Sequence, residues 1–100
     1  MLERDVEKRL VREIRKIGGL CLKLVCPGFT GVPDRMIILP GGRIVFAELK
    51  RPGKAERPRQ VYVQALFREM GLDVISTVDS YDAVRAVVAH CSDLLNGVKA

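Results

Sequence analysis

The stretch Gly31–Lys50, "GVPDRMIILPGGRIVFAELK", decides how this chain folds. Two apolar runs flank Pro40-Gly41-Gly42, the pattern of a β-hairpin with strands at about 34–39 and 43–50. Asp34, Glu48 and Lys50 stand at the strand ends, where a plain hairpin carries neutral or apolar side chains. Glu48 and Lys50 are two apart on one strand, so they share a face with Ile44 and Phe46. Loop length decides whether Asp34 joins them, because directly opposed residues of an antiparallel pair point the same way. A two-residue Gly41-Gly42 loop pairs Asp34 with Leu49 and turns it to the other side. A three-residue loop, Pro40–Gly42, pairs it with Glu48. The spacing predicts an odd loop or a bulge, with the glycines supplying left-handed conformations.

In the opposed register the two carboxylates stand about 5 Å apart at Cβ and repel one another. Lys50 offsets part of that charge. A divalent cation satisfies the geometry better, since paired hard oxygens suit Mg²⁺ or Mn²⁺, which keep waters and take phosphate oxygens as further ligands. The plainer alternative is a surface ion pair at a sheet end.

Outward from the hairpin, Leu2, Val6, Leu10, Ile14 and Ile17 recur at helical spacing, predicting a helix over 2–17 that stops at Gly18-Gly19. "LCLKLVC", 20–26, reads as a strand with Leu20, Leu22 and Leu24 on one face, broken by Pro27-Gly28. A basic loop, "RPGKAERPR", fills 51–59. A second helix opens at Pro58 and ends at Gly71, with Val63, Leu66, Phe67 and Met70 as its stripe. "DVISTV", 73–78, is a strand, and a third helix capped by Asp79 or Ser80 carries Tyr81, Val84, Val87, Val88 and Cys91. The order α-β-β-β-α-β-α predicts one α/β domain with a mixed sheet over 1–92, and a frayed tail over 93–100.

Composition narrows the function. Apolar residues make up 48% and charged ones 29%, which excludes a disordered chain. The apolar runs fall short of the ~20 residues of a membrane span, and the charged start "MLERDVEKRL" lacks a secretory pattern. The expectation is a cytoplasmic protein without a membrane partner. Three cysteines, Cys21, Cys26 and Cys91, with no CxxC spacing, argue for free thiols rather than a disulfide framework. The single histidine, His90, excludes mechanisms that need a His pair, so carboxylates and lysine must carry any hydrolysis. Residues 1–72 hold 15 Lys/Arg against 8 Asp/Glu, while 73–100 hold 2 against 4, so one part of the fold is basic. A phosphate backbone is the natural partner of such a surface.

Gly31-Val32-Pro33-Asp34 followed by Glu48-Leu49-Lys50 resembles the core motif of the PD-(D/E)xK nucleases, whose domain is restriction-endonuclease-like. Within that superfamily the chain is most similar to the VRR-NUC (virus-type replication-repair nuclease) family in its stand-alone form, over roughly residues 3–90. The resemblance implies Asp34 and Glu48 as metal ligands, with the backbone carbonyl of Leu49 as a third. The metal, Mg²⁺ or Mn²⁺, would polarise a phosphate oxygen and lower the pKa of a water. Lys50 would orient or activate that water. It also implies Gln60 near the site, and an acid of the first helix as a further ligand, Glu7 ahead of Glu3.

Lys23, alone in an apolar strand, and Arg51, Lys54, Arg57 and Arg59 of the loop are candidate DNA-backbone contacts, without a sequence code. Phe29 and Tyr62 suit a base stack or an interface, and the sequence leaves the two open. The expectation is a metal-dependent DNA endonuclease with no small-molecule cofactor. The resemblance further implies branched DNA such as four-way junctions, a homodimer, and a bacterial or phage-infected cell. The third helix, with Val84, Val87 and Val88, or the first helix are its candidate pairing surfaces. The competing readings are a catalytically inactive nucleic-acid-binding module on the same fold and a protein-interaction domain.

Overall fold

The computed structural model describes residues 2–50 and 54–97. Its elements are α1 (Glu3–Lys16), β1 (Leu20–Lys23), β2 (Arg35–Ile38), β3 (Ile44–Leu49), α2 (Pro58–Glu69), β4 (Asp73–Val78) and α3 (Tyr81–Leu95). The order is the expected α-β-β-β-α-β-α. The strands form one mixed sheet in the order β1-β2-β3-β4, antiparallel through β3, with β4 parallel to β3 across the α2 crossover.

Strand pleat sorts the sheet into two faces. Cys21, Ile37, Leu39, Val45, Ala47 and Leu49 point to one side and are buried against Val6, Leu10 and Ile14 of α1 and Val84, Val87, Cys91 and Leu94 of α3. Removing one of these large side chains, as in Leu10→Ala, costs about 2–5 kcal/mol. On the other side α2 covers the β3/β4 half, where Phe46 and Phe67 meet edge to face at 5.0 Å. Among the described residues the β1/β2 half of this side carries no helix. The leucine stripe of the first strand therefore faces outward: Leu20 is 47% and Leu22 42% exposed, while Cys21 turns to the core. Alternation alone cannot say which face of a strand is covered.

Two boundaries differ from expectation. The first strand ends at Lys23 rather than 26, although the Leu24 N–H still bonds the Asp34 carbonyl at 2.9 Å. The third helix runs on to Leu95 with Leu94 buried, so the start of the stretch expected to fray carries helix; residues 98–100 lie outside those described. Ser80 is the cap, accepting from the Ala83 N–H at 3.1 Å. Val84 and Val87, expected as a possible pairing surface, are core residues. Among the described residues no helix is long and apolar enough to cross a membrane.

Candidate active site

The hairpin loop fixes the site. Leu39 and Arg43 close it, with the Leu39 N–H 2.8 Å from the Arg43 carbonyl, so the loop is Pro40–Gly42, three residues long. Gly41 and Gly42 have φ of +86° and +83°, a backbone region that favours glycine. The register Arg35↔Ala47 and Ile37↔Val45, continued by one residue, sets Asp34 opposite Glu48 on the α2 side of the sheet. The two are cross-tied: the Asp34 N–H donates to Glu48 Oε1 at 3.1 Å, and the Leu49 N–H donates to Asp34 Oδ2 at 2.9 Å.

Gln60, in the first turn of α2, closes the arrangement. Its Nε2 donates to Glu48 Oε2 at 2.6 Å, and its Oε1 accepts the Arg57 N–H at 3.0 Å. Both ends of the amide are thus committed, and helix capping and Glu48 orientation are one contact set. An open cleft of about 310 Å³ lies over this centre, lined by Asp34, Glu48, Leu49, Lys50 and Gln60, with Glu3 from α1 and Lys54, Ala55, Glu56 and Arg57 from the loop.

The electrostatics favour a cation. Burial, then the charge of Asp34, push the Glu48 carboxyl up to about 8. Burial likewise raises Asp34, against the Leu49 and Glu48 hydrogen bonds that lower it. Two adjacent carboxylates cannot both ionise comfortably without positive charge between them. The donor set is hard oxygen, which fits Mg²⁺ or Mn²⁺. Among the described residues no three His, Cys, Asp or Glu side chains converge on one point. A cation here would rest on two carboxylates, with backbone oxygen and water completing its shell.

The first-helix acids exchange ranks. Arg35 has the opposite parity to Asp34 and projects to the α1 side, where its Nε and Nη2 meet Glu7 Oε2 at 2.9 and 2.8 Å. Its Nη1 donates to the Cys21 carbonyl at 3.2 Å. Glu7, expected ahead of Glu3, is therefore engaged by Arg35, and Glu3 is the α1 acid that lines the cleft. A half-buried arginine needs a partner, and Arg35, directly after Asp34, is the signal that identifies Glu7 as that partner.

Of the basic candidates, Lys54 and Arg57 line the cleft. Lys23 is exposed on β1, outside the cleft lining, and Arg51 lies outside the described residues. Arg59 Nε donates to the Thr30 carbonyl at 3.0 Å. His90, half-buried, has Nε2 2.5 Å from Asp73 Oδ2, which ties α3 to the start of β4 away from the site.

Glu56 and Thr77 were not singled out by sequence. The β3/β4 register slips between Ala47↔Ile75 and Leu49↔Val78, so two residues of β4, Ser76 and Thr77, stand against Glu48. Thr77 takes φ of +64°, and its Oγ1 donates to Glu56 Oε1 at 3.3 Å. Buried Gln64 places Nε2 3.5 Å from Glu56 Oε2. The bulge, a device common beside active sites, thus anchors the loop that covers the cleft. The available signal was Glu56 itself, the lone acid among the basic residues 50–59.

Known proteins agree with this architecture. "Putative nuclease p44" of Acyrthosiphon pisum secondary endosymbiont phage 1 is 48% identical over 80 residues, spanning 80% of this chain and 85% of that protein. A solved structure described as a "VRR_NUC domain" superposes with a TM-score of 0.80 at 32% identity, over 88% of this chain and 95% of that one. No family model matches the chain.

Proposed function

The chain belongs to the VRR-NUC domain family, and from that premise we propose that it is a Mg²⁺- or Mn²⁺-dependent endonuclease that hydrolyses phosphodiester bonds in DNA. The observation that carries this reading is the opposed, cross-bonded pair Asp34 and Glu48 at the floor of a cleft that also holds Lys50. Asp34 and Glu48 would hold the cation, with Leu49 as the backbone ligand and Glu3, rather than Glu7, as the α1 acid that lines the cleft. When bound, the cation supplies Lewis-acid activation of a phosphate oxygen and of a water.

The chain's own residues supply the rest. Gln60 fixes the Glu48 carboxylate from α2. Lys50, which lines the cleft, would orient the attacking water and offset charge gathering on the phosphate. Lys54 and Arg57 flank the cleft as phosphate contacts, which position DNA without reading its sequence.

Branched DNA and a homodimer are the finer parts of the proposal. A 100-residue domain offers little surface to hold a junction alone, and a twofold pair would cut two strands symmetrically. The uncovered sheet face with Leu20, Leu22 and Ile44 supports pairing with a second copy. The phage source of the relative supports a setting in the cytoplasm of a phage-infected bacterium.

The test is cleavage of four-way junction, flap and linear duplex DNA with Mg²⁺ and with Mn²⁺. Cutting that Asp34→Ala abolishes while DNA binding persists is the expected result. Binding without cutting by the unaltered protein identifies an inactive binding module instead.

A further inference from the structure

Arg59 and Tyr62, on the first two turns of α2, form a stack with Phe29 from the connection between β1 and β2. The Arg59 guanidinium carbon lies 4.9 Å from the centre of the Phe29 ring and 5.6 Å from that of Tyr62, both within cation–π range. The stack is not a core cluster, since Phe29 is 43% and Tyr62 55% exposed. Backbone geometry is adapted to it. Gly31 has φ of +90°, and a Cβ there would stand 2.8 Å from Arg59 Cγ and 3.1 Å from the Arg59 carbonyl oxygen. The Phe29–Gly31 turn can therefore lie against α2 only because it carries glycine.

Along the chain the stack adjoins the chemistry at both ends. Arg59 directly precedes Gln60, which holds Glu48, and Gly31 leads through buried Pro33 into Asp34. Exposed aromatic rings, a guanidinium and a neighbouring phosphate-gripping cleft are the parts with which proteins hold unstacked bases. Within a duplex each base face is covered by its neighbours. Only an unpaired base has a face to offer these rings. We infer that Phe29, Arg59 and Tyr62 form a platform for an unpaired nucleobase next to the phosphate in the cleft, so that the protein acts where paired and single-stranded DNA meet. This inference rests on the nuclease reading above and specifies its substrate.

The experiment compares two DNAs in EDTA: a duplex with single-stranded flanks carrying 2-aminopurine, whose emission falls when it stacks, and a blunt duplex of equal length. The unaltered protein quenches the unpaired probe. Tyr62→Ala and Phe29→Ala each weaken binding of the flanked DNA by about tenfold and remove the quench, while binding of the blunt duplex stays within about twofold. Tyr62→Phe retains both signals. Tyr62→Leu, which keeps apolar bulk without a ring, behaves as the alanine variant does and guards against a folding defect.

Equal loss on both DNAs, no loss on either, or conversion of a dimer to a monomer by Tyr62→Ala in light scattering overturns the platform. Mg²⁺-dependent cleavage by the unaltered protein, absent in Asp34→Ala, is read on the same DNAs. If that cleavage persists while the stacking signals are missing, the platform fails and the nuclease reading stands. If the protein neither binds nor cuts, both fall.

Discussion

Glu48 is 2% exposed, yet it is an acid beside a second acid, and that placement has consequences for stability. Its carboxyl is pushed up to about 8 from the ordinary 4.5, by burial and by Asp34. A raised folded-state value means that folding takes up a proton between those limits. The contribution is full below the unfolded value and is lost as pH rises through the folded one. In EDTA the protein therefore melts at a lower temperature near about pH 8.5 than near about pH 6, and Glu48→Gln flattens this slope in scanning fluorimetry. A melting temperature that rises over the same interval contradicts the burial account. The thiols give a second check. Burial drives Cys21 and Cys91 up to about 11, whereas Cys26 is only partly covered. Titration with a disulfide reagent at neutral pH should show one fast thiol and two that wait on unfolding. At this scale Asp34, Glu48 and Lys50 were legible because their types and spacing have few uses, whereas Gln60 came only from the family resemblance. Glu7 was ranked ahead of Glu3, the acid that lines the cleft, because the choice turns on Arg35, whose direction follows from sheet parity and not from helix periodicity.

The hairpin was legible because strand parity allows only an odd loop or a bulge to bring two acids to one face; the three-residue length itself was read from the structure. The bulge in β4 was not, since "DVISTV" alternates like any strand and nothing in it announces an extra residue. Thr77 carries the cost: a β-branched residue at φ of +64° is strained. Thr77→Gly relieves that strain and should raise stability by about 0.5–1 kcal/mol in urea unfolding. The same change frees Glu56 from β4, so cleavage activity should fall even as stability rises. A stabilised variant with full activity would mean that the Glu56 anchor does not position the loop. Gly31→Ala is the converse case, with both the left-handed backbone and the contact with Arg59 against it, and should cost about 1–3 kcal/mol.

The layered α/β plan followed from the element order, and the α1 and α3 sides of the core followed from their helix stripes; of the expected α2 stripe, Met70 is exposed, and Gln64 is buried instead. Coverage did not follow, because a sequence shows which side chains share a face and not how far a single helix reaches across it. Here α2 leaves Leu20, Leu22 and Ile44 in solvent. If a second copy covers this face, Leu22→Glu shifts sedimentation from dimer to monomer without altering the fold; a mass unchanged by the substitution rules out that interface. The central claim, that Asp34 and Glu48 together hold a divalent cation, is tested most directly by Mn²⁺ titration followed by electron paramagnetic resonance and calorimetry. The unaltered protein should bind Mn²⁺ saturably, with release of the proton that the carboxylate pair holds at neutral pH, and Asp34→Asn and Glu48→Gln should each abolish binding while the fold persists. Mn²⁺ binding of undiminished affinity in both variants would contradict the account.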